Sequence, residues 1–115
     1  MTLYAAVIYS EDADWSQPEF AEETKEYGEF GEAAAAVIRG GAALYQTSTA
    51  TVVRASEKGG EVLTSDGPYA ETKEALTGFY LIEAADLDAA LAIAEQCPGA
   101  WDGGVEVRPV IDFGA

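Results

Sequence analysis

The chain has 115 residues, 49% of them hydrophobic, and carries a net charge of −15 from 21 acidic and 6 basic side chains. A chain of this length and apolar content can bury a core of its own, which excludes intrinsic disorder, and residues 1–115 read as one domain. The charge excludes polyanionic partners, nucleic acid and anionic membrane alike. A single cysteine, Cys97, excludes a disulfide framework, and the lack of histidine excludes zinc.

The apolar run Leu3–Tyr9 has no basic start and is followed at once by Glu11, Asp12 and Asp14, so it is not a signal peptide. No stretch approaches the ~20 apolar residues of a membrane helix. With one cysteine, this points to the cytoplasm. The run itself predicts a strand. Leu3, Ala5, Val7 and Tyr9 face one way and Tyr4, Ala6 and Ile8 the other, so it is apolar on both faces.

Ser16 and Glu19 have the spacing of a capping box, and Trp15 and Phe20 that of a hydrophobic staple. Phe20, Tyr27, Phe30, Ala34, Val37 and Ile38 then recur at helical spacing, with Gly40-Gly41 as the stop. Gly28 and Gly31 each weaken this helix by up to about 1 kcal/mol, a cost that close packing on a sheet would offset. Ala42–Gln46 predicts a short strand. Thr51–Ala55 and Glu61–Thr64 predict a hairpin turning at Lys58-Gly59-Gly60, and Ser65-Asp66-Gly67-Pro68 a loop.

Leu76–Glu83 predicts a second strand apolar on both faces. Asp86 caps a second helix whose inner stripe is Leu87, Ala90, Leu91, Ala94 and Cys97, stopped at Pro98-Gly99. Val105–Ile111 closes the chain as a strand that Pro109 confines to an edge or bulge.

The order is β-α-β-β-α-β with an extra hairpin, which fits a ferredoxin-like α+β sandwich. Two helices cover one face of a four-stranded sheet. Leu3–Tyr9 and Leu76–Ile82 nevertheless call for burial on both faces, and a second copy packed sheet to sheet is the simplest source, making a homodimer.

Residues 66–74, DGPYAETKE, the segment LTGFYLIEAADLDAAL and the ending VEVRPV together resemble the YCII-related superfamily, in particular its DGPF subfamily. Tyr69 stands where that subfamily's Asp-Gly-Pro-Phe element has phenylalanine. The resemblance implies a ferredoxin-like fold pairing as a dimeric α/β barrel. It also implies a link to extracytoplasmic-function sigma factors for some relatives, and enzymes with a His-Asp pair for others. This chain has no histidine, so only the carboxylate half, Asp66, could persist.

Asp66 is the candidate proton acceptor: partly buried near the sheet, its pKa would rise. The competing reading is a local turn bond. Lys73 is a candidate for an anionic ligand group or a solvated partner of Glu71. Arg54 and Arg108, on predicted strands, require a carboxylate, either structural or belonging to a ligand. Tyr4, Tyr9, Phe79 and Tyr80 on the predicted strands are candidates to line an aromatic pocket or to fill the core, and Tyr69 beside Asp66 is a further ligand candidate. Glu11, Asp12 and Asp14 lack the spacing of a calcium loop, so no metal and no cofactor are expected. Two functions stand: a non-catalytic small-molecule-binding or regulatory protein, and an acid–base lyase or isomerase acting on a small aromatic acid through Asp66.

Overall fold

The computed structural model describes residues 1–114. Strand β1 (Thr2–Glu11) leads through a 3-10 turn (Pro18–Phe20) into helix α1 (Ala21–Ala33). Strand β2 (Ile38–Ala43) follows, then the hairpin β3 (Thr51–Ala55) and β4 (Val62–Asp66). Strand β5 (Glu74–Ala84), helices α2 (Leu87–Ala94) and α3 (Gly99–Asp102), and strand β6 (Gly104–Pro109) complete the order. The main sheet runs β2-β5-β1-β6, and its strand pairs are all antiparallel. This mixed α+β arrangement is compatible with a ferredoxin-like fold. Among the described residues no helix is long and apolar enough to cross a membrane.

The helices share one sheet face. Tyr4 and Ile82 pack there with Ala84 and Ala90, and Ile8 packs with Phe30 and Cys97. Alternation puts Leu3, Ala5, Val7 and Tyr9 on the opposite face. The register sets Leu81 and Phe79 beside Ala5 and Val7, and Leu76 beside Tyr9. That face is apolar and carries no helix. The expected edge position of Pro109 is what the strand order gives, because β6 lies outermost beside β1.

Several local expectations need correction. The first helix starts at Ala21, not Ser16. Asp14 accepts from the backbone and hydroxyl of Ser16 and from Gln17 Nε2, so the polar capping chemistry serves a turn ahead of the helix. The staple pair does meet, with the Trp15 and Phe20 rings 4.4 Å apart. Gly40 and Gly41 lie inside β2 rather than ending α1, and the strand expected at Ala42–Gln46 begins earlier, at Ile38. The reason is close pairing with β5: a Cβ on Gly41 would stand 2.5 Å from Phe79 O, and one on Gly78 2.8 Å from Ala42 O. Gly28 and Gly31, by contrast, have nothing within 4 Å of an added Cβ, so they do not serve close packing.

Asp86 caps α2 as expected, accepting from Ala89 N at 2.9 Å. The inner stripe is narrower than expected. Ala90, Ala94 and Cys97 are buried, whereas Leu87 and Leu91 are 47% and 44% exposed. Ile93 takes their place against the core.

Ser65 and Asp66 extend β4 instead of forming a loop, with Asp66 opposite Thr51. The turn begins at Gly67, whose φ of 106° favours glycine and whose N–H donates to Ala50 O at 2.8 Å. The hairpin pairs only with itself, as a two-stranded sheet. Its base is tied to the body by Asp12, which accepts from Thr47 N at 2.8 Å and from the Thr47 hydroxyl.

Candidate functional site

β1 alternates, so Ile8 and Ser10 face the helices with Tyr4 and Ala6. Opposite them, β5 breaks register between Ile8 and Tyr9, where one extra residue, Thr77, bulges out of the ladder. The bulge brings Thr77 Oγ1 to 2.7 Å from Ser10 Oγ, and Ser10 is 2% exposed. A hydroxyl pair, buried at Ser10 and half-buried at Thr77, thus forms on the helix-facing side of the sheet, where its hydrogen bond offsets part of the cost of desolvation.

This pair lies in the wall of a cavity of about 560 Å³. Ile8, Ser10, Thr77 and Tyr80 contribute from the sheet, Thr24 and Tyr27 from α1, and Asp14, Trp15 and Ser16 from the turn before α1. Gly41 to Tyr45 form the side along β2. The volume is that of a pocket for a drug-sized ligand. The Tyr80 ring is set edge-on to Phe30 at 5.2 Å. Burial pushes the Tyr80 and Tyr27 phenols above their ordinary range, so both remain neutral. Asp14 is pulled below the usual carboxylate range, first by the Ser16 hydroxyl and then by Gln17, so it stays ionised. No Lys or Arg is in the lining.

Of the residues named from the sequence as pocket or ligand candidates, Phe79 and Tyr80 line this cavity. Tyr4 is buried in the core with Ile82 and Ala90, because its β1 position meets α2. Arg54 finds an aromatic partner in place of a carboxylate: its guanidinium carbon lies 4.8 Å from the centroid of the Tyr69 ring, at the exposed hairpin. Arg108 stands on the open sheet face opposite Ala5, and Lys73 is exposed beyond the hairpin. Among the described residues the one ion pair joins Arg39 to Glu83, at 2.9 Å.

Asp66 is exposed and lines neither this cavity nor a smaller polar recess. Where the sequence placed a partly buried carboxylate near the sheet, β4 carries Asp66 out on the exposed hairpin. The recess is lined instead by Asp12, Thr47 and Ala75, with Pro68, Ala70, Glu71 and Thr72 of the DGPYAETKE segment.

Sequence reasoning missed Ser10, Thr77, Trp15 and Asp14 as pocket residues. The one signal available was a polar Ser10 and Thr77 at the ends of two otherwise apolar strands. Cys97 is buried, and burial pushes its thiol up, as befits a packing group. Among the described residues no group of three or more His, Cys, Asp or Glu side chains is placed to hold a metal ion.

The architecture is thus an α+β layer with helices on one sheet face and a ligand-sized cavity beneath the first of them. A profile of the YCII-related domain matches residues 2–114, and the chain belongs to that family. It is similar, at 48% identity over 71 residues, to an uncharacterised protein of Rhizobium meliloti (strain 1021). The matched part is 60% of this chain and 56% of that protein, so the chain spans little more than half the length of the curated relative.

Proposed function

We propose that this YCII-related chain, read as one DGPF-type domain, is a non-catalytic small-molecule-binding protein that works as a cytoplasmic homodimer. The cavity of about 560 Å³ under α1 carries the reading, because it combines apolar walls with a partly buried hydroxyl pair that can orient a ligand. The exposure of Asp66 speaks against the acid–base alternative, since a carboxylate out on the hairpin, lining neither the cavity nor the recess, is not within reach of a ligand bound there.

Pairing as a dimeric α/β barrel is supported by size. The accessible surface is 7896 Å², against about 6,000 Å² for a compact monomer of this mass. The radius of gyration is 16.1 Å, against roughly 13 Å. The excess of about 1,900 Å² is what one side of an obligate dimer interface removes. A link to a sigma factor would be a contact between proteins, since a charge of −15 repels nucleic acid.

The test uses Trp15 as reporter in a Trp101→Phe background, which leaves Trp15 as the one tryptophan. A small-molecule library is screened by Trp15 fluorescence and thermal shift together. A ligand of the folded state raises Tm and alters Trp15 emission saturably. Compounds that raise Tm without touching Trp15 emission, or no compound at all, would defeat the assignment of this cavity.

A further inference from the structure

We infer that the cavity under α1 selects an organic cation, an ammonium group carried on an apolar or aromatic body, and rejects the carboxylic acids that the sequence suggested. This inference rests on the small-molecule reading of the same cavity and adds the ligand's charge.

Three features of the lining converge on it. The first is aromatic: Trp15, Tyr27, Tyr45 and Tyr80 surround the space, and the negative faces of such rings attract a cation within about 6 Å of the centroid. The second is charge. Asp14 is the one ionisable acid or base in the lining apart from the tyrosines. Bonds from Ser16 and Gln17 hold it ionised, so the wall keeps its negative charge through the physiological range. Since no Lys or Arg lines the cavity, a ligand carboxylate would be desolvated beside Asp14 with no counter-charge, which is costly.

The third feature is the hydroxyl pair. Thr77 Oγ1 reaches Ile8 O at 3.5 Å and Ser10 Oγ at 2.7 Å. Either hydroxyl can donate in the Ser10–Thr77 bond, and Thr77 can donate to Ile8 O instead. In each arrangement both oxygens keep lone pairs that an ammonium N–H can use. The net charge of −15 adds a long-range field that concentrates cations at the surface.

The test compares three probes of one shape: 2-naphthylmethylammonium, 2-naphthylmethanol and 2-naphthoate. Each is titrated against the Trp101→Phe protein with Trp15 emission as readout. The ammonium is expected to bind about tenfold more tightly than the alcohol, through one opposite charge in the lining and the ring faces together. The naphthoate should not saturate at millimolar concentration. Asp14→Asn should remove most of the ammonium's advantage over the alcohol. Glu95→Gln, which makes the same change in net charge at the exposed residue capping the C-terminus of α2, outside the lining, should not. Raising salt from about 50 to about 500 mM should shrink the ammonium's advantage, because Asp14 stands at the solvent-exposed side of the lining.

Equal binding of ammonium and alcohol, or preference for the naphthoate, would overturn the cation assignment while leaving the cavity a ligand site. Loss of the ammonium's advantage in Glu95→Gln as much as in Asp14→Asn would overturn it too, showing a general field effect. If no probe saturates, both the cation assignment and the ligand-site reading of this cavity fall.

Discussion

The guanidinium carbon of Arg54 lies 4.8 Å above the ring of Tyr69, so a side chain of β3 clasps the segment that leaves β4. The ring is 77% exposed, and the contact closes the hairpin where Gly67 turns the chain. The attraction is to the face of the ring and does not need the phenol. A phenylalanine would serve as well.

Tyr69→Phe is therefore expected to leave the hairpin unchanged. Tyr69→Ala and Arg54→Ala should each loosen it by about 0.5–1 kcal/mol, the size of an exposed cation–π contact. Amide hydrogen exchange across Thr51–Ala55 and Val62–Asp66 reads this directly. Equal loosening by Phe and Ala at position 69 would assign the contact to the hydroxyl instead.

Gly28→Ala and Gly31→Ala are expected to stabilise the protein, by up to about 1 kcal/mol each. Both lie inside α1, and an added Cβ meets nothing within 4 Å at either position. Alanine would lower the entropy of the unfolded chain at no steric cost. Urea unfolding should show a higher midpoint at unchanged slope. A lower midpoint would mean that another surface approaches α1 in the assembled protein.

Much of the fold was legible because it rests on periodicity. Both apolar faces of β1 and β5, the hairpin, the Asp86 cap and the edge position of Pro109 follow from spacing and side-chain chemistry alone. Gly40 and Gly41 misled because a glycine pair after a helical pattern reads as a stop. Their actual role, close approach of β2 to β5, depends on a partner strand about 40 residues away. Leu87 and Leu91 misled for a related reason: the stripe that α2 buries is set by its rotation on the sheet, and Ile93 wins that place. The site was least legible. The cavity is made by a bulge at Thr77 and by a turn around Asp14, neither of which has a periodic signature. The conspicuous DGPYAETKE segment instead builds the hairpin base and the polar recess.

Asp12 holds the hairpin base through Thr47, whose hydroxyl is the first cause and whose backbone N–H is the second cause of its lowered pKa. A depressed folded-state pKa means the contribution is fully present above the unfolded value, 3.8, and is lost as pH falls through the lower folded value. Thr47→Val removes the hydroxyl bond and keeps the N–H. The Asp12 titration, followed by carboxyl-carbon NMR, should then move up toward 3.8, and the hairpin base should loosen at higher pH than in the parent. An unmoved Asp12 titration would show that the hydroxyl bond does not hold the carboxylate in solution.

The open sheet face makes the most consequential prediction. Leu3, Ala5, Val7, Leu81 and Phe79 form an apolar surface that no helix covers, with Glu106 and Arg108 opposite Val7 and Ala5 along β6. Exposed as a continuous patch, such a surface would aggregate, and two copies set face to face remove it from water. Light scattering coupled to size exclusion should report twice 12.1 kDa, about 24 kDa. Leu81→Lys places a cation in the centre of that face without touching the helix-side core, so it should give a folded monomer of 12.1 kDa. Introducing lysine keeps the effect separate from the protein's own negative charge, which the substitution reduces. Leu91→Lys is the matched control, an equal change at a leucine 44% exposed on α2, and it should leave the dimer intact. If Leu91→Lys breaks the dimer and Leu81→Lys does not, the copies meet through their helices. Then the two-sided apolarity of β1 and β5 serves another partner, and a monomeric parent protein at micromolar concentration would point the same way.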